Sequence, residues 1–354
     1  MRAALYHPRH GYYTNLRGFG ADGDFITSPE RHPAFGWLLG RQALDVWEAL
    51  DRPTPFKVLE LGAGSGALAQ SLVRFLRGEG VHELVYTLDE ISPSLRDVQR
   101  QRLTDAAFRW EGAAEAAHFI VANEVADALP VVRAVVRGGR FRELRVGPEL
   151  TFVEADDAPA ELEAYFAALH FMPPEGSVVD VCLELGEWVR QVATRLQKGV
   201  ALVIDYAASP PRDSLLTYYH HSLGSDPLIR LGQQDISAHV DLRMLVRLAI
   251  GEGLRAGATA QRGLLLNLGF SQVQAVLTRS TDRRELGQLV DPNAAGGQIA
   301  AVFLLRGMPA DYKPAGAIGR EWPAPSGVPS LPPDRDEAEF LSQWHEAFGH
   351  ATDN

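Results

Sequence analysis

The sequence predicts an α/β fold, a parallel sheet with helices on both faces, and three observations carry that expectation. Residues 57–61 form a short apolar run that is closed by Gly62-Ala63-Gly64-Ser65-Gly66 and followed by a helical stretch over 67–77. The unit then repeats, with strand character over 83–88 and 118–122 and helix character over 93–103 between them. Alternation of this kind builds parallel sheets, because each helix carries the chain back to start the next strand at the same end. Finally, 354 residues with 46% hydrophobic and 22% charged side chains are enough for a large core, and they exclude a disordered, fibrous or disulfide-stapled scaffold.

The remaining elements follow in order. From 33 to 50, Phe35, Leu38, Leu39, Leu44, Val46, Trp47 and Leu50 recur at mostly helical spacing, so one helix is expected there with Ser28 or Pro29 near its start. Short β-like runs over 131–154, broken by Gly138-Gly139 and Gly147-Pro148, suggest a meander inserted beside the sheet. A helix over 183–196 and a strand over 200–205 resume the rhythm. Residues 207–240 read as a polar loop, too long for an ordinary connection and of the kind that covers a site. A helix over 241–250 and an apolar strand over 298–305 complete the core, and the tail beyond Gly307 reads as a proline-rich, surface-docked or mobile appendage with one amphipathic helix near 337–348.

The resulting division is 1–52 as an N-terminal substrate or lid segment, 53–306 as the main domain with insertions at about 131–180 and 207–240, and 307–354 as the tail. A net charge of −11 opposes non-specific attachment to nucleic acid or to an anionic membrane. No stretch approaches 18 uncharged apolar residues, so membrane insertion is not expected. The single cysteine, Cys182, lies in an apolar stretch and reads as a structural thiol of a reducing compartment. Residues 1–21 hold three arginines and no acid, but Pro8, the tyrosines and the glycines spoil an amphipathic targeting helix, which leaves the cytoplasm as the expected location.

A strand, a Gly62-x-Gly64-x-Gly66 loop and a helix let backbone approach a nucleotide-like ligand where any Cβ would collide. Gly62-x-Gly64-x-x-Ala67 also fits the dinucleotide fingerprint, and Glu90 at the end of the second strand suits ribose hydroxyls, so loop and acid leave both NAD and S-adenosylmethionine open. Glu60 favours the second, because a carboxylate suits an amino group and a sulfonium better than a pyrophosphate. Asn123-Glu124-Val125-Ala126-Asp127-Ala128-Leu129-Pro130 adds a polar cluster where open α/β sheets bind ligands. His220-His221 lacks a second ligand pair at metal spacing, so no metal is expected, and Glu184 and Glu187 read as a solvated helix face.

With these motifs the chain resembles the MidA-type S-adenosylmethionine-dependent methyltransferases, a family that includes the mitochondrial arginine methyltransferase assisting respiratory complex I assembly. The likeness spans roughly residues 11–305 and rests on several strings. They are Gly11-Tyr12-Tyr13, Gly23-Asp24-Phe25-Ile26-Thr27-Ser28-Pro29-Glu30, Glu60-Leu61-Gly62-Ala63-Gly64-Ser65-Gly66, Glu90-Ile91-Ser92-Pro93-Ser94-Leu95-Arg96, Asn123-Glu124 with Asp127-Ala128-Leu129-Pro130, Ile204-Asp205-Tyr206, and Asp235-Ile236-Ser237-Ala238-His239-Val240-Asp241. The chain departs from the pattern at Val125 and Ala126, where the family has aromatic rings, at Ala207 in place of glycine, and in a shortened 110–118 segment.

The resemblance implies a Rossmann-like class I methyltransferase sheet, S-adenosylmethionine as cofactor and a protein partner, such as a respiratory complex subunit, with a homodimer left open. Glu60, Gly62, Gly64, Gly66, Glu90, Ser92 and Asn123 are the cofactor candidates. If the acceptor is arginine, carboxylates bonded to two guanidinium nitrogens orient the third and take its proton. Glu124 and Asp127, helped by Asn123, are the catalytic candidates, against a reading in which the two acids cap the next helix. Asp24, Thr27, Ser28, Glu30, Asp205, Tyr206 and His239 are the substrate-side candidates, each also readable as a helix start, a packing residue or a structural histidine. A small-molecule methyltransferase and a non-catalytic cofactor-binding assembly factor remain as alternatives.

Overall fold

In the computed structural model, residues 1–15, 26–111 and 115–331 are described. Their strands, in chain order, are β1 (Phe56–Leu61), β2 (Leu84–Asp89), β3 (Phe108–Arg109), β4 (Ala117–Asn123), β5 (Val132–Arg137), β6 (Arg140–Val146), β7 (Phe152–Glu154), β8 (Val178–Val181), β9 (Leu196–Ala208), β10 (Leu216–Tyr219), β11 (Ser222–Gly224), β12 (Asp235–Ser237), β13 (Val240–Asp241), β14 (Arg255–Ala260) and β15 (Ile299–Arg306). The main sheet runs β14-β15-β9-β4-β1-β2-β3. All pairs from β9 to β3 are parallel, and only β15 runs against both of its neighbours. Strand order therefore reverses between β1 and β4, and in open α/β sheets that switch point opens the ligand crevice at the carboxyl ends of the strands.

Period-two patterning explains why both faces of the sheet are covered. Phe56, Val58, Phe119, Val121, Val200, Leu202 and Ile204 face one core, with the helices Ala34–Ala49 and Ala67–Gly78. Leu59, Leu61, Ile120, Ala122, Ala201 and Val203 face the other, with Leu185–Arg195 and Leu242–Gly251. Each of the larger side chains among them contributes about 1.5–3 kcal/mol by leaving water, so strands buried on both faces read as continuous apolar runs.

Several elements depart from the sequence expectation. The helix expected over 33–50 is preceded by a separate turn of helix, Ser28–Arg31, because Pro33 drives His32 into extended backbone at φ −152°, ψ 130°. Residues 131–181 form an antiparallel sheet β7-β6-β5-β8, and 216–237 form a small sheet β11-β10-β12 rather than loop alone. His220 and His221, with φ 47° and 58°, are the two central residues of the β10–β11 hairpin turn.

The stretch between the helix ending at Gly251 and β15 contains β14 and the helices Gln261–Asn267, Phe270–Val276 and Ser280–Gln288, none of which the pattern announced. β14, Arg-Ala-Gly-Ala-Thr-Ala, is a largely exposed edge strand of small residues with little strand propensity. Residues 307–331 are docked on the helix Ala34–Ala49. Asp45 accepts hydrogen bonds from Tyr312 (2.7 Å), the Ala315 amide (3.0 Å) and Arg320 (3.1 Å), and buried Trp322 encloses the Arg41 guanidinium opposite Trp37 at 4.9 and 4.6 Å. The helix expected near 337–348 lies outside the described residues.

Candidate active site

One cavity opens at the switch point. Its wall includes Glu60, Gly62, Gly64, Glu90 and Ile91 from the β1 and β2 ends, Asn123, Glu124, Val125 and Ala128 from the β4 end, Thr27, Pro29 and Glu30 from the short helix, and Tyr6 and Tyr13 from the N-terminus.

The first half is built from backbone. Gly62, Gly64 and Gly66 have φ of 62°, 55° and 81°, which side chains rarely adopt, and a Cβ on Gly62 would lie 2.8 Å from the Val125 side chain. Glu90 locks the loop: one carboxylate oxygen accepts from the Gly64 amide (2.9 Å), the other from the Ser92 amide (2.8 Å). Gln99 donates to the Gly64 carbonyl (2.7 Å) and accepts from the Trp110 indole (2.9 Å). Glu30 reaches down from the short helix to Ser65, and Arg102 binds the Ser65 carbonyl at 3.2 Å. Glu60 is buried and accepts from the Tyr86 hydroxyl (2.7 Å); burial lifts its carboxyl from near 4.5 to about 8.

The second half is built from side chains. The Glu124 amide bonds the Ile204 carbonyl (2.8 Å), and the chain then turns sharply, with Glu124 at φ 53°. A non-glycine residue held there costs on the order of 1–3 kcal/mol, so other contacts must enforce it. Asp205 does so: one oxygen accepts from the amides of Val125 (3.0 Å), Ala126 (2.8 Å) and Asp127 (3.3 Å). Asp205 therefore caps the turn Ala126–Ala128, and Glu124 and Asp127 are released from the capping role the sequence left open.

The Glu124 carboxylate faces the cavity, where it accepts from the Ser28 amide (3.1 Å) and the Asn123 amide group (2.9 Å). Burial raises its carboxyl above the ordinary range. Asp127, Asp205 and Asp235 are buried nearby; burial first, and then the mutual repulsion of the acids, pushes Asp127 and Asp205 upward as well. Tyr13 donates to Asp235 (2.8 Å) and Tyr6 to the Ala128 carbonyl (2.8 Å).

These groups fit S-adenosylmethionine. Glu90 keeps acceptor capacity for a ribose hydroxyl, Glu60 suits an amino group, and the Asn123 side-chain oxygen is buried with no hydrogen-bond partner. An orphaned acceptor in a cavity wall calls for a donor from a ligand.

Comparison with known proteins agrees with that chemistry. A family model for S-adenosyl-L-methionine-dependent methyltransferases matches residues 38–258. The chain belongs to this family. Among its relatives, the mitochondrial protein arginine methyltransferase NDUFAF7 homologue of Drosophila melanogaster is 30% identical, over 87% of this chain and 80% of its own. The corresponding NDUFAF7 protein of Rattus norvegicus is 28% identical, over 80% of this chain and 72% of its own. A Burkholderia thailandensis protein crystallised with S-adenosyl-homocysteine superposes with a TM-score of 0.79, at 29% identity, over 90% of this chain and 89% of that one. The protein is thus an S-adenosylmethionine-dependent methyltransferase with a Rossmann-like sheet, and S-adenosylmethionine is its cofactor.

Within this methyltransferase, Glu60, Gly62, Gly64, Glu90, Asn123, Glu124, Thr27 and Glu30 share one cavity wall. The other candidates stand elsewhere. Gly66 begins the helix Ala67–Gly78, and Ser92 is the buried first residue before the helix Pro93–Arg102. Ser28 contributes its amide to Glu124, and its hydroxyl goes to Gln261 (3.2 Å). Asp127 and Tyr206 are not among the residues of that wall, and Asp205, expected near substrate, is engaged by backbone amides. The amide of His239 bonds the Ser214 hydroxyl (3.2 Å), away from this cavity, and burial lowers the ring's basicity. Asp24 lies outside the described residues. Cys182 is half-buried, with its thiol pushed up to about 12 by burial, which makes it a poor nucleophile.

Of the rings missing at 125 and 126, only the first bears on the site: Val125 lines the cavity, while Ala126 packs into the core beneath the sheet. Sequence reasoning passed over Tyr6, Tyr13, Gln99 and Asp235. Tyr13 and Asp235 lay inside quoted motifs, whereas Tyr6 and Gln99 carried no signal beyond their residue type.

Proposed function

We propose that this methyltransferase transfers the methyl group to an arginine guanidinium of a protein. The observation that carries the reading is Glu124, a half-buried residue of the cofactor cavity wall held in left-handed backbone, with the buried acids Asp127, Asp205 and Asp235 in the same region. The names of the curated relatives, protein arginine methyltransferases, support the same acceptor.

When bound, S-adenosylmethionine supplies an electrophilic methyl group on a sulfonium. The chain's own residues do the rest. Glu124 would accept N–H bonds from the guanidinium, turn one nitrogen toward the methyl and receive the proton that this nitrogen sheds as the C–N bond forms, while the methyl–sulfur bond breaks and S-adenosyl-homocysteine leaves. Asn123 fixes the Glu124 carboxylate, and its unpartnered oxygen takes one more donor. Thr27, Pro29 and Glu30 stand in the wall of the same cavity.

The test is to incubate the protein with labelled S-adenosylmethionine and arginine-bearing polypeptides, then hydrolyse the products. Label in methylarginine, abolished by Glu124→Gln, supports the reading. Label in methyllysine or only in metabolites overturns it.

A further inference from the structure

Tyr6 and Tyr13 lie in the first fifteen residues, far in sequence from the sheet, yet both stand in the wall of the cavity. Their rings stack at a centroid distance of 5.7 Å and an interplanar angle of 22°. The pair is held from several sides. Tyr6 donates to the Ala128 carbonyl and Tyr13 to Asp235, while Ala4, Leu5 and Tyr12 pack the segment against Leu95, Leu215 and Ile236. Tyr12 and Tyr13 meet edge to face at 5.2 Å, which fixes the tilt of the Tyr13 ring. Arg2 pairs with Glu184, so the short helix Arg2–Tyr6 is tied down at its other end as well.

Both rings line the cavity with their hydroxyls already engaged, which leaves the rings themselves as what the pair can offer a ligand. Glu124 lines the same cavity. Carboxylate and aromatic wall together match a cation that is flat and carries several N–H donors. A guanidinium meets that description: it stacks on aromatic faces and donates in its own plane. An ammonium is compact, strongly hydrated and has no plane to match.

We propose that the stacked pair Tyr6–Tyr13 is the specificity wall of the acceptor site, selecting a planar guanidinium over an ammonium of equal charge. This rests on the proposed arginine acceptor and adds the residues that choose it. The N-terminal segment is then part of the acceptor site, and the pair acts by positioning, without taking up the proton.

The experiment is calorimetric titration of the protein, saturated with S-adenosyl-homocysteine, with N-acetyl-arginine amide and with N-acetyl-lysine amide. Both probes carry one positive charge, so the ratio of their affinities isolates shape from charge. The wild type should prefer the arginine probe by about tenfold, the range expected of one stacked cation in a partly dry site. Tyr13→Leu and Tyr6→Leu should each bring the ratio toward one. Tyr13→Phe, which keeps the ring and loses only the bond to Asp235, should hold the ratio within about twofold of the wild type.

A general loss of packing would weaken both probes alike and leave the ratio unmoved, so an unchanged ratio in the leucine variants overturns the wall. So does a wild type that binds the two probes equally. If the wild type binds neither probe, the cationic-acceptor reading itself fails and the wall falls with it.

Discussion

The two halves of the cavity are made of different materials. The cofactor half is local: a strand end, three glycines in left-handed backbone and one carboxylate, Glu90, that ties loop to strand through two amides. The acceptor half is assembled from distant segments: Glu124 at the end of β4, Asp205 on β9, Asp235 on β12, and Tyr6 and Tyr13 from the N-terminus. In the first half backbone shape binds, so a methyl group in the wrong place is fatal. In the second half charge and rings act, so conservative substitutions should separate chemistry from binding.

One substitution should break the first half alone. Gly64→Val places a β-branched residue at φ 55°. Such strain costs on the order of 1–3 kcal/mol before any clash with ligand is counted. S-adenosyl-homocysteine affinity should fall roughly a hundredfold, read by calorimetry, and activity should fall with it. Retained affinity would show that the loop does not hold the cofactor.

Glu124→Gln should do the opposite. Turnover should drop about 10²–10⁴-fold, the usual contribution of a positioned base, while S-adenosyl-homocysteine affinity stays within a few-fold. Parallel loss of both would merge the halves that the geometry separates.

Asp205→Asn tests what holds the acceptor turn. Three amides lose an anionic acceptor, and a buried hydrogen-bonding group left unmatched costs about 1–3 kcal/mol. Denaturant unfolding should show that loss, and Glu124, released from its left-handed turn, should lose part of its effect on turnover.

The smallest effect sharpens the first half. Burial raises the Glu60 carboxyl from near 4.5 to about 8 in the folded protein. The folded state then holds a proton that the unfolded chain has released, so this group's contribution to stability is fully present below about pH 4.5 and is lost as pH rises toward 8. Glu60→Gln should flatten that slope in thermal unfolding across the same window. In the wild type at neutral pH, a cofactor amino group settling beside Glu60 should drive off a proton. Buffers of different ionisation enthalpy would detect it in calorimetry, and equal heats in all buffers would remove Glu60 from the amino-group site.

The sequence made the parallel sheet and its glycine loop legible because both write themselves in short windows: apolar runs of five or six residues and glycines at fixed spacing. Glu90 was legible for the same reason, by its position at a strand end. The acceptor half was legible only in its residue types. Glu124 and Asp127 are three apart, but the left-handed turn at Glu124 leaves one in the cavity wall and the other outside it, and only the amides gathered by Asp205, some eighty residues on, decide which. Likewise, Pro33 announced a break that helical periodicity concealed, and the prolines of 307–331 suggested an appendage because proline forbids helix, although extended chain can still pack Trp322 on Arg41. β14 was missed because an exposed strand of alanines and glycine has no pattern to show.

The most direct test of the account is a crystal structure of the protein with S-adenosyl-homocysteine and N-acetyl-arginine amide bound together. It should show the homocysteine sulfur beside Asn123, the guanidinium bonded to the Glu124 carboxylate, and one guanidinium nitrogen turned toward that sulfur. A guanidinium seated elsewhere, with Glu124 turned away from it, would contradict the assignment of this cavity as the place where the methyl group meets its acceptor.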